Sequence, residues 1–157
     1  MDENITLKIK VVTFNRLISV SGPSGLITYA YDGLGDRLQE TVNGVTTTFM
    51  MDISTSLNAS DLTQVLDDGT NEYIYGNDRI EQTSGTDTEY FLTDALASVR
   101  QMTNSNGAIT LDQNYDPFGN PDGSLGSTTT IFGYTGEQVD PTGMIYLRAR
   151  DYDPTFE

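Results

Sequence analysis

The sequence predicts an all-β fold of antiparallel β-hairpins joined in a curved, repeat-built sheet. Three observations predict it. Apolar and polar residues alternate with period two, as a strand with one buried face requires. Asn-Gly and Asp-Gly pairs sit between β-branched runs, where a tight hairpin turn needs residues that tolerate positive φ. An aromatic residue, an aspartate and a short glycine-containing turn keep returning: Tyr31-Asp32-Gly33-Leu34-Gly35, Tyr115-Asp116-Pro117-Phe118-Gly119 and Tyr152-Asp153-Pro154. Weaker echoes are Met51-Asp52, Tyr75-Gly76 and Thr93-Asp94. A repeated short unit builds walls and solenoids more readily than an enzyme pocket.

Taken in order, Ile5, Leu7, Ile9 and Val11 alternate with Thr6, Lys8 and Lys10, which predicts a first strand with the apolar set buried. Val12 and Phe14 break the alternation and predict a bulge or bend there. Ser21 to Gly25 is a loose turn. Asn43-Gly44 turns a hairpin between the runs 38–42 and 45–49, and Asn106-Gly107 another between 99–103 and 108–111. Asp68-Gly69 and Ser84-Gly85 supply two more turns. Ser54 to Leu66 departs from the rhythm and reads as a loop or a helical turn starting at Ser60 or Asp61. Ser124 to Thr130, rich in Gly, Ser and Thr, reads as a surface loop. A polar-Arg-aliphatic phrase recurs at Asn15-Arg16-Leu17, Asp36-Arg37-Leu38 and Asp78-Arg79-Ile80. One hairpin cannot bury its own face, so neighbouring units must pair side by side.

Composition narrows the function. The chain has 157 residues, with 23 acidic against 8 basic and a net charge of −15. That balance opposes phosphate contact and so nucleic-acid binding, and it disfavours anionic membranes. Cys and His are both absent, which removes a cysteine nucleophile, a disulfide framework, a thiolate zinc site and a histidine acid–base group. No apolar run reaches the roughly 20 residues of a membrane helix. The N-terminus has acids where a secretory signal has bases. The expectation is that no signal peptide is present in these residues, which leaves the location unknown from sequence, and that there is no membrane insertion.

Within the repeated phrase, the aspartate accepts backbone N–H groups two residues on, and the Pro or Gly after it presets the turn. The tyrosine can pack on the next hairpin while its hydroxyl finds a polar partner. Nothing in this needs a substrate, although exposed tyrosines could instead stack on a glycan. A carboxylate pair for hydrolysis and a calcium site at Asp67-Asp68-Gly69-Thr70-Asn71-Glu72 are weaker readings, since the latter lacks EF-hand spacing. Asn4-Ile5-Thr6 and Asn58-Ala59-Ser60 match the glycan acceptor pattern formally. No nucleotide-binding glycine motif is present. The expectation is no catalytic, cofactor or metal site.

Several long motifs follow one another in order: the run from Glu89 to Thr103, which contains Tyr90, Asp94 and Arg100, then Tyr115-Asp116-Pro117-Phe118-Gly119-Asn120, then Phe132-Gly133-Tyr134-Thr135-Gly136-Glu137-Gln138, and finally Gly143 to Pro154 with Leu147-Arg148-Ala149-Arg150 and Tyr152-Asp153. Together they resemble bacterial Rhs (rearrangement-hotspot) YD-repeat proteins. The last run is similar to the Rhs-associated core. The resemblance spans about Tyr29 to Pro154. It implies two segments, 1–28 as a strand and partial repeat, and 29–157 as the YD-repeat core. It also implies a hairpin-built shell that encloses a toxin, a secreted or cell-surface setting, and partners that are other YD-repeat segments or further copies joined through sheet edges. A surface module for glycan or protein is the alternative. The residues expected to carry the motif are Tyr31, Asp32, Gly35, Asp94, Arg100, Tyr115, Asp116, Pro117, Gly119, Tyr134, Gly136, Arg148, Arg150, Tyr152 and Asp153.

Two departures from the family pattern stand out: Asp151 where a tyrosine is usual, and Ala97 where a glycine is usual. Glu157 also ends the chain where the family pattern continues to a cleavage segment and toxin, so the expectation is a wall piece without its cargo. Asp140-Pro141-Thr142-Gly143 looks superficially like that cleavage segment but reads as a turn.

Overall fold

The computed structural model describes residues 8–12, 16–52 and 62–155. Ile5, Leu7, Phe14, the Ser54–Asp61 stretch and both glycan-acceptor triplets lie outside the described residues. Among the described residues the architecture is antiparallel β, with one 3-10 turn at Tyr134–Gly136. The chain divides into two units: Met1–Thr70 with Arg148–Arg150, and Asn71–Leu147 with Asp151–Glu157.

The first unit holds a five-stranded meander: β1 (Lys8–Val12), β2 (Arg16–Gly22), β3 (Gly25–Tyr31), β4 (Arg37–Val42) and β5 (Val45–Thr48). A hairpin of β6 (Met50–Asp52) and β7 (Gln64–Asp67) follows. Among its described residues, Val20, Ile27, Leu17, Tyr29, Phe49 and Val65 are the buried apolar side chains. Asn43-Gly44 forms the expected two-residue turn, with both φ values positive and Val42 opposite Val45.

The second unit holds a six-stranded meander: β8 (Glu72–Tyr75), β9 (Arg79–Ser84), β10 (Asp87–Thr93), β11 (Val99–Asn104), β12 (Ile109–Tyr115) and β13 (Pro121–Gly126). A small sheet of β14 (Gln138–Val139), β15 (Ile145–Tyr146) and β16 (Asp151–Tyr152) completes it. Cross-strand partners explain its core: Phe91 pairs with Met102, and Met102 with Leu111. All three are buried on one sheet face, as period two demands.

Three local expectations need correction. Ile9 and Val11 are half-exposed, not buried. They stand opposite the buried Val20 and Leu17, so they do point to the core face, but β1 ends its sheet and nothing among the described residues covers them. The first irregularity falls between Lys10 and Val11, ahead of Val12. Ser124 to Gly126 belong to β13, because the outer edge of β12 needs pairing partners.

The rest of that expected loop is pinned across the buried face. The amides of Ser127 and Thr128 donate to the Thr110 carbonyl. The Thr128 hydroxyl donates to Glu89 at 3.0 Å, Thr110 bonds the other Glu89 oxygen, and Gln82 Nε2 donates to the Thr129 carbonyl at 2.9 Å.

Met102 is fully buried and Leu125 is 76% exposed. Met102→Ala is expected to cost about 2–5 kcal/mol in urea unfolding, and Leu125→Ala within about 0.5 kcal/mol. Equal effects of the two would contradict the assigned core face.

Candidate functional site

The repeated phrase folds into one recurring five-residue loop. At Asp32 the backbone N–H donates to the Asp36 carbonyl at 3.0 Å, while the Gly35 N–H donates to the Asp32 carbonyl at 3.2 Å. Asp32 Oδ1 accepts the amides of Leu34, Gly35 and Asp36 at 2.9, 2.7 and 2.9 Å. The Asp116 loop repeats this, with Oδ1 accepting Phe118 and Asn120 at 2.8 and 2.9 Å. The Asp94 loop repeats it again with Leu96 and Ser98. So does Asn104, through Asn106 and Ala108. The side-chain oxygen thus satisfies amides that a chain reversal leaves without a strand partner.

The fourth loop residue takes a left-handed backbone in every case: Gly35 (φ 95°), Ala97 (65°), Gly107 (77°) and Gly119 (97°). Asn106-Gly107 is therefore not a two-residue turn; Asn104 heads the loop and Asn106 keeps negative φ. The three-residue spacing from Asn104 to Gly107 matches Asp32 to Gly35, and was the signal that would have revealed it. Asp140-Pro141-Thr142-Gly143 shares the backbone pattern, with Asp140 N–H donating to Met144 and Gly143 N–H to Asp140, each at 2.8 Å.

Each phrase-bearing loop is a docking point for other signature residues. In the second unit, the Asp116 loop receives two tyrosine hydroxyls: Tyr134 donates to the Pro117 carbonyl and Tyr152 to the Phe118 carbonyl, both at 2.9 Å. Asn120 Nδ2 bridges Asp116 Oδ2 at 2.8 Å and the Pro154 carbonyl at 2.9 Å. The Tyr134 ring lies so close to Gly119 that a Cβ there would come within 2.6 Å of it. Tyr115 packs on Tyr134 with ring centroids 5.7 Å apart, and Arg100 lies 5.8 Å from the Tyr115 ring. Burial pushes the Tyr115 phenol up to about 12, Arg100 opposing and Asp94 assisting. Asp153 caps the start of another turn through the Thr155 amide at 2.9 Å. The Asp94 loop meets the 133–137 loop: Thr135 N–H donates to Ser98 Oγ, and Val99 N–H to the Gly133 carbonyl, each at 3.0 Å.

In the first unit, Tyr31 donates its hydroxyl to the Leu17 carbonyl at 2.7 Å, with Arg16 5.7 Å from its ring centre. The Arg16 guanidinium covers Gly35 so closely that a Cβ there would clash at 1.8 Å. Arg16 donates to the Arg148 carbonyl, Arg148 donates to the Thr63 carbonyl, and the Thr63 hydroxyl donates to Asp36. The Asp32–Asp36 loop is thereby tied to Arg148, which itself has positive φ. Arg150 is exposed.

The periodic arginines start β2, β4 and β9, and each stacks on aromatic faces. Sequence reading found their spacing and not this role. Buried Arg37 lies 4.2 Å from the Tyr29 ring centre. Buried Arg79 sits 3.1 Å from that of Phe132 and donates to the Gly136 carbonyl at 3.2 Å. Burial lowers the Arg79 pKa, partly offset by Tyr75.

Among the described residues no three acids converge as metal ligands. Asp67 and Asp68 cap a turn through the Gly69 and Thr70 amides. No described helix is long and apolar enough to cross a membrane.

Two measurements test the loop. Gly119→Ala forces positive φ on a Cβ and drives it into Tyr134, so about 2–4 kcal/mol of stability should be lost. Ala97→Gly relieves a left-handed alanine and should gain roughly 0.5–1 kcal/mol after the added chain entropy. For pH, hydrogen bonds from Asn120 first, and then from the loop amides, hold Asp116 below the usual carboxylate range. At Asp32, burial pushes upward, but the three loop amides and Arg16 outweigh it and the net shift is down. A depressed folded pKa gives stability that is present above the unfolded pKa and lost as pH falls through the folded one. The urea midpoint should therefore drop below about pH 4, and less steeply in Asp116→Asn, which keeps the Oδ1 acceptor as Asn104 does. An unchanged acid slope would count against charge stabilisation at Asp116.

A family model described as the teneurin YD-shell matches residues 10–156. The tRNA3(Ser)-specific nuclease WapA of Bacillus spizizenii and the tRNA nuclease WapA of Bacillus subtilis strain 168 are each 33% identical over 133 residues, 81% of this chain. The chain spans about 6% of the length of these curated relatives. Among solved structures, the TcdB2-TccC3-Cdc42 crystal structure matches with a TM-score of 0.70 at 17% identity, over 94% of this chain and 8% of its own. The Tc holotoxin pore of Photorhabdus luminescens matches with a TM-score of 0.67 at 16% identity, over 94% and 8%. At such identities these structures establish the fold, and the family match does the rest: the chain belongs to the teneurin YD-shell family of YD-repeat, Rhs-type proteins.

Proposed function

We propose that this chain is a non-catalytic wall segment of an Rhs-type toxin-delivery shell, one piece of a longer polypeptide whose toxin lies outside it. The observation that carries this reading is what the repeated loops are used for. Tyr31, Tyr134 and Tyr152 all spend their hydroxyls on backbone carbonyls of the chain itself. Their rings and that of Tyr115 are half-buried, which disfavours the glycan reading at these four tyrosines. The motif residues Asp32, Gly35, Asp94, Arg100, Asp116, Pro117, Gly119, Gly136, Arg148, Arg150 and Asp153, with those tyrosines, act in this reading as wall fasteners. The 6% coverage of the WapA relatives supports a part rather than a whole. Any nuclease activity belongs to those relatives and is not assigned to this segment. The setting that fits is export or display at the cell surface.

The test is to sequence the DNA flanking this reading frame and express the joined polypeptide. Further Tyr-Asp phrases upstream and a variable domain downstream are expected, with a hollow particle by electron microscopy. A solid particle, or flanks without the phrase, would remove the proposal.

A further inference from the structure

We propose that β1 is a charge-coded docking edge that accepts an acidic β-strand, one in which Asp or Glu alternates with β-branched residues. The inference deepens the wall reading by naming the chemistry of the joining partner, and it rests on that reading only for the biological setting.

Three observations carry it. The first is position. β1 pairs with β2 on one side and ends its sheet on the other, so among the described residues its outer N–H and C=O groups face no strand. Such a row is a template for one more strand.

The second is the uncovered core. Val20 is fully buried between Ile9 and Ile27, its partners on either side. That apolar row runs outward onto β1 and stops there, with Ile9 53% and Val11 50% exposed. A strand added beside β1 would place apolar residues next to these two and continue the row.

The third is charge. The chain contains two lysines, Lys8 and Lys10, and both stand on β1. Period two puts them on the face opposite Ile9 and Val11, beside Ser21 and Ser19, and both are exposed. The chain otherwise carries 23 acids, and of its six arginines only Arg150 is exposed. Two adjacent exposed cations on the outermost strand of so acidic a chain form a local mark of opposite sign. An incoming strand with acids opposite Lys8 and Lys10 gains two cross-strand charge pairs, and one with bases meets repulsion. Antiparallel pairing with the β1 of a second copy brings lysines toward lysines, so the same code selects against self-pairing at this edge.

The experiment uses two synthetic Asn-Gly hairpins. One carries alternating Glu and Val on its outer strand, and in the other each Glu is Lys. Binding to the full chain is followed by fluorescence titration and by hydrogen exchange of the β1 amides. The Glu/Val hairpin is expected to bind roughly ten-fold or more tightly than its Lys counterpart and to slow exchange in β1. That preference should collapse in about 1 M salt, where screening shortens to roughly 3 Å. The double variant Lys8→Glu/Lys10→Glu should reverse the preference, and Lys8→Gln/Lys10→Gln should abolish it while keeping the edge. Circular dichroism checks that both variants retain the fold, as exposed positions should allow. Equal binding of the two hairpins, with β1 protected, overturns the charge code and leaves the wall reading standing. No protection of β1 by either hairpin overturns the docking edge itself, with Lys8 and Lys10 acting only to block pairing, and leaves the wall reading to its own test. Concentration-dependent protection of β1 by the chain alone identifies a second copy as the occupant and also overturns the proposal.

Discussion

A carboxylate oxygen that accepts the amides of its own loop is the interaction on which this structure depends. Asp32, Asp94 and Asp116 each turn the chain in five residues and cap the exposed amides with Oδ1. The cap fixes the loop backbone, and the fixed loop then offers carbonyls in set directions. Pro117 and Phe118 present theirs to Tyr134 and Tyr152 only because Asp116 holds the loop. Strand ends become sockets without any apolar pocket being built. This suits a thin, repeat-built sheet, where a conventional two-layered core is hard to assemble.

The fourth loop residue adds a steric constraint. A left-handed backbone favours glycine, and at Gly35 and Gly119 the missing Cβ also lets Arg16 and Tyr134 settle directly on the turn. Glycine thus serves both conformation and close approach. Ala97 keeps the conformation at a cost of about 1–2 kcal/mol. It is tolerated because its loop is braced from outside by Thr135, whose amide reaches Ser98. The arginines at the strand starts are the second fastening. Arg37 and Arg79 are buried cations whose flat guanidinium groups lie on aromatic rings, an arrangement for which lysine has no equivalent geometry.

Much of this was legible in the sequence because it is local. Period-two alternation, the Asn43-Gly44 turn and the Tyr-Asp phrase depend on residues within a few positions of one another. What misled was also local. Asn106-Gly107 looked like a two-residue turn because the eye stops at the pair, whereas Asn104 captures the loop with its side chain. Ser124 to Thr130 looked like an unconstrained loop by composition. Yet backbone amides do not depend on side-chain type, and they found partners on β12 and at Thr110.

The sequence by itself determined the fold class, the turn positions and the family, since backbone preference and hydrogen-bonding side chains act over three or four residues. It also determined the acidic balance and the placing of both lysines on one strand. Only the tertiary structure decided which carbonyl each tyrosine grips, that Arg148 joins Arg16 to Thr63, and that Ile9 and Val11 stay half-exposed among the described residues. Those outcomes join residues dozens of positions apart, and such pairings are set by how hairpins stack rather than by any period along the chain.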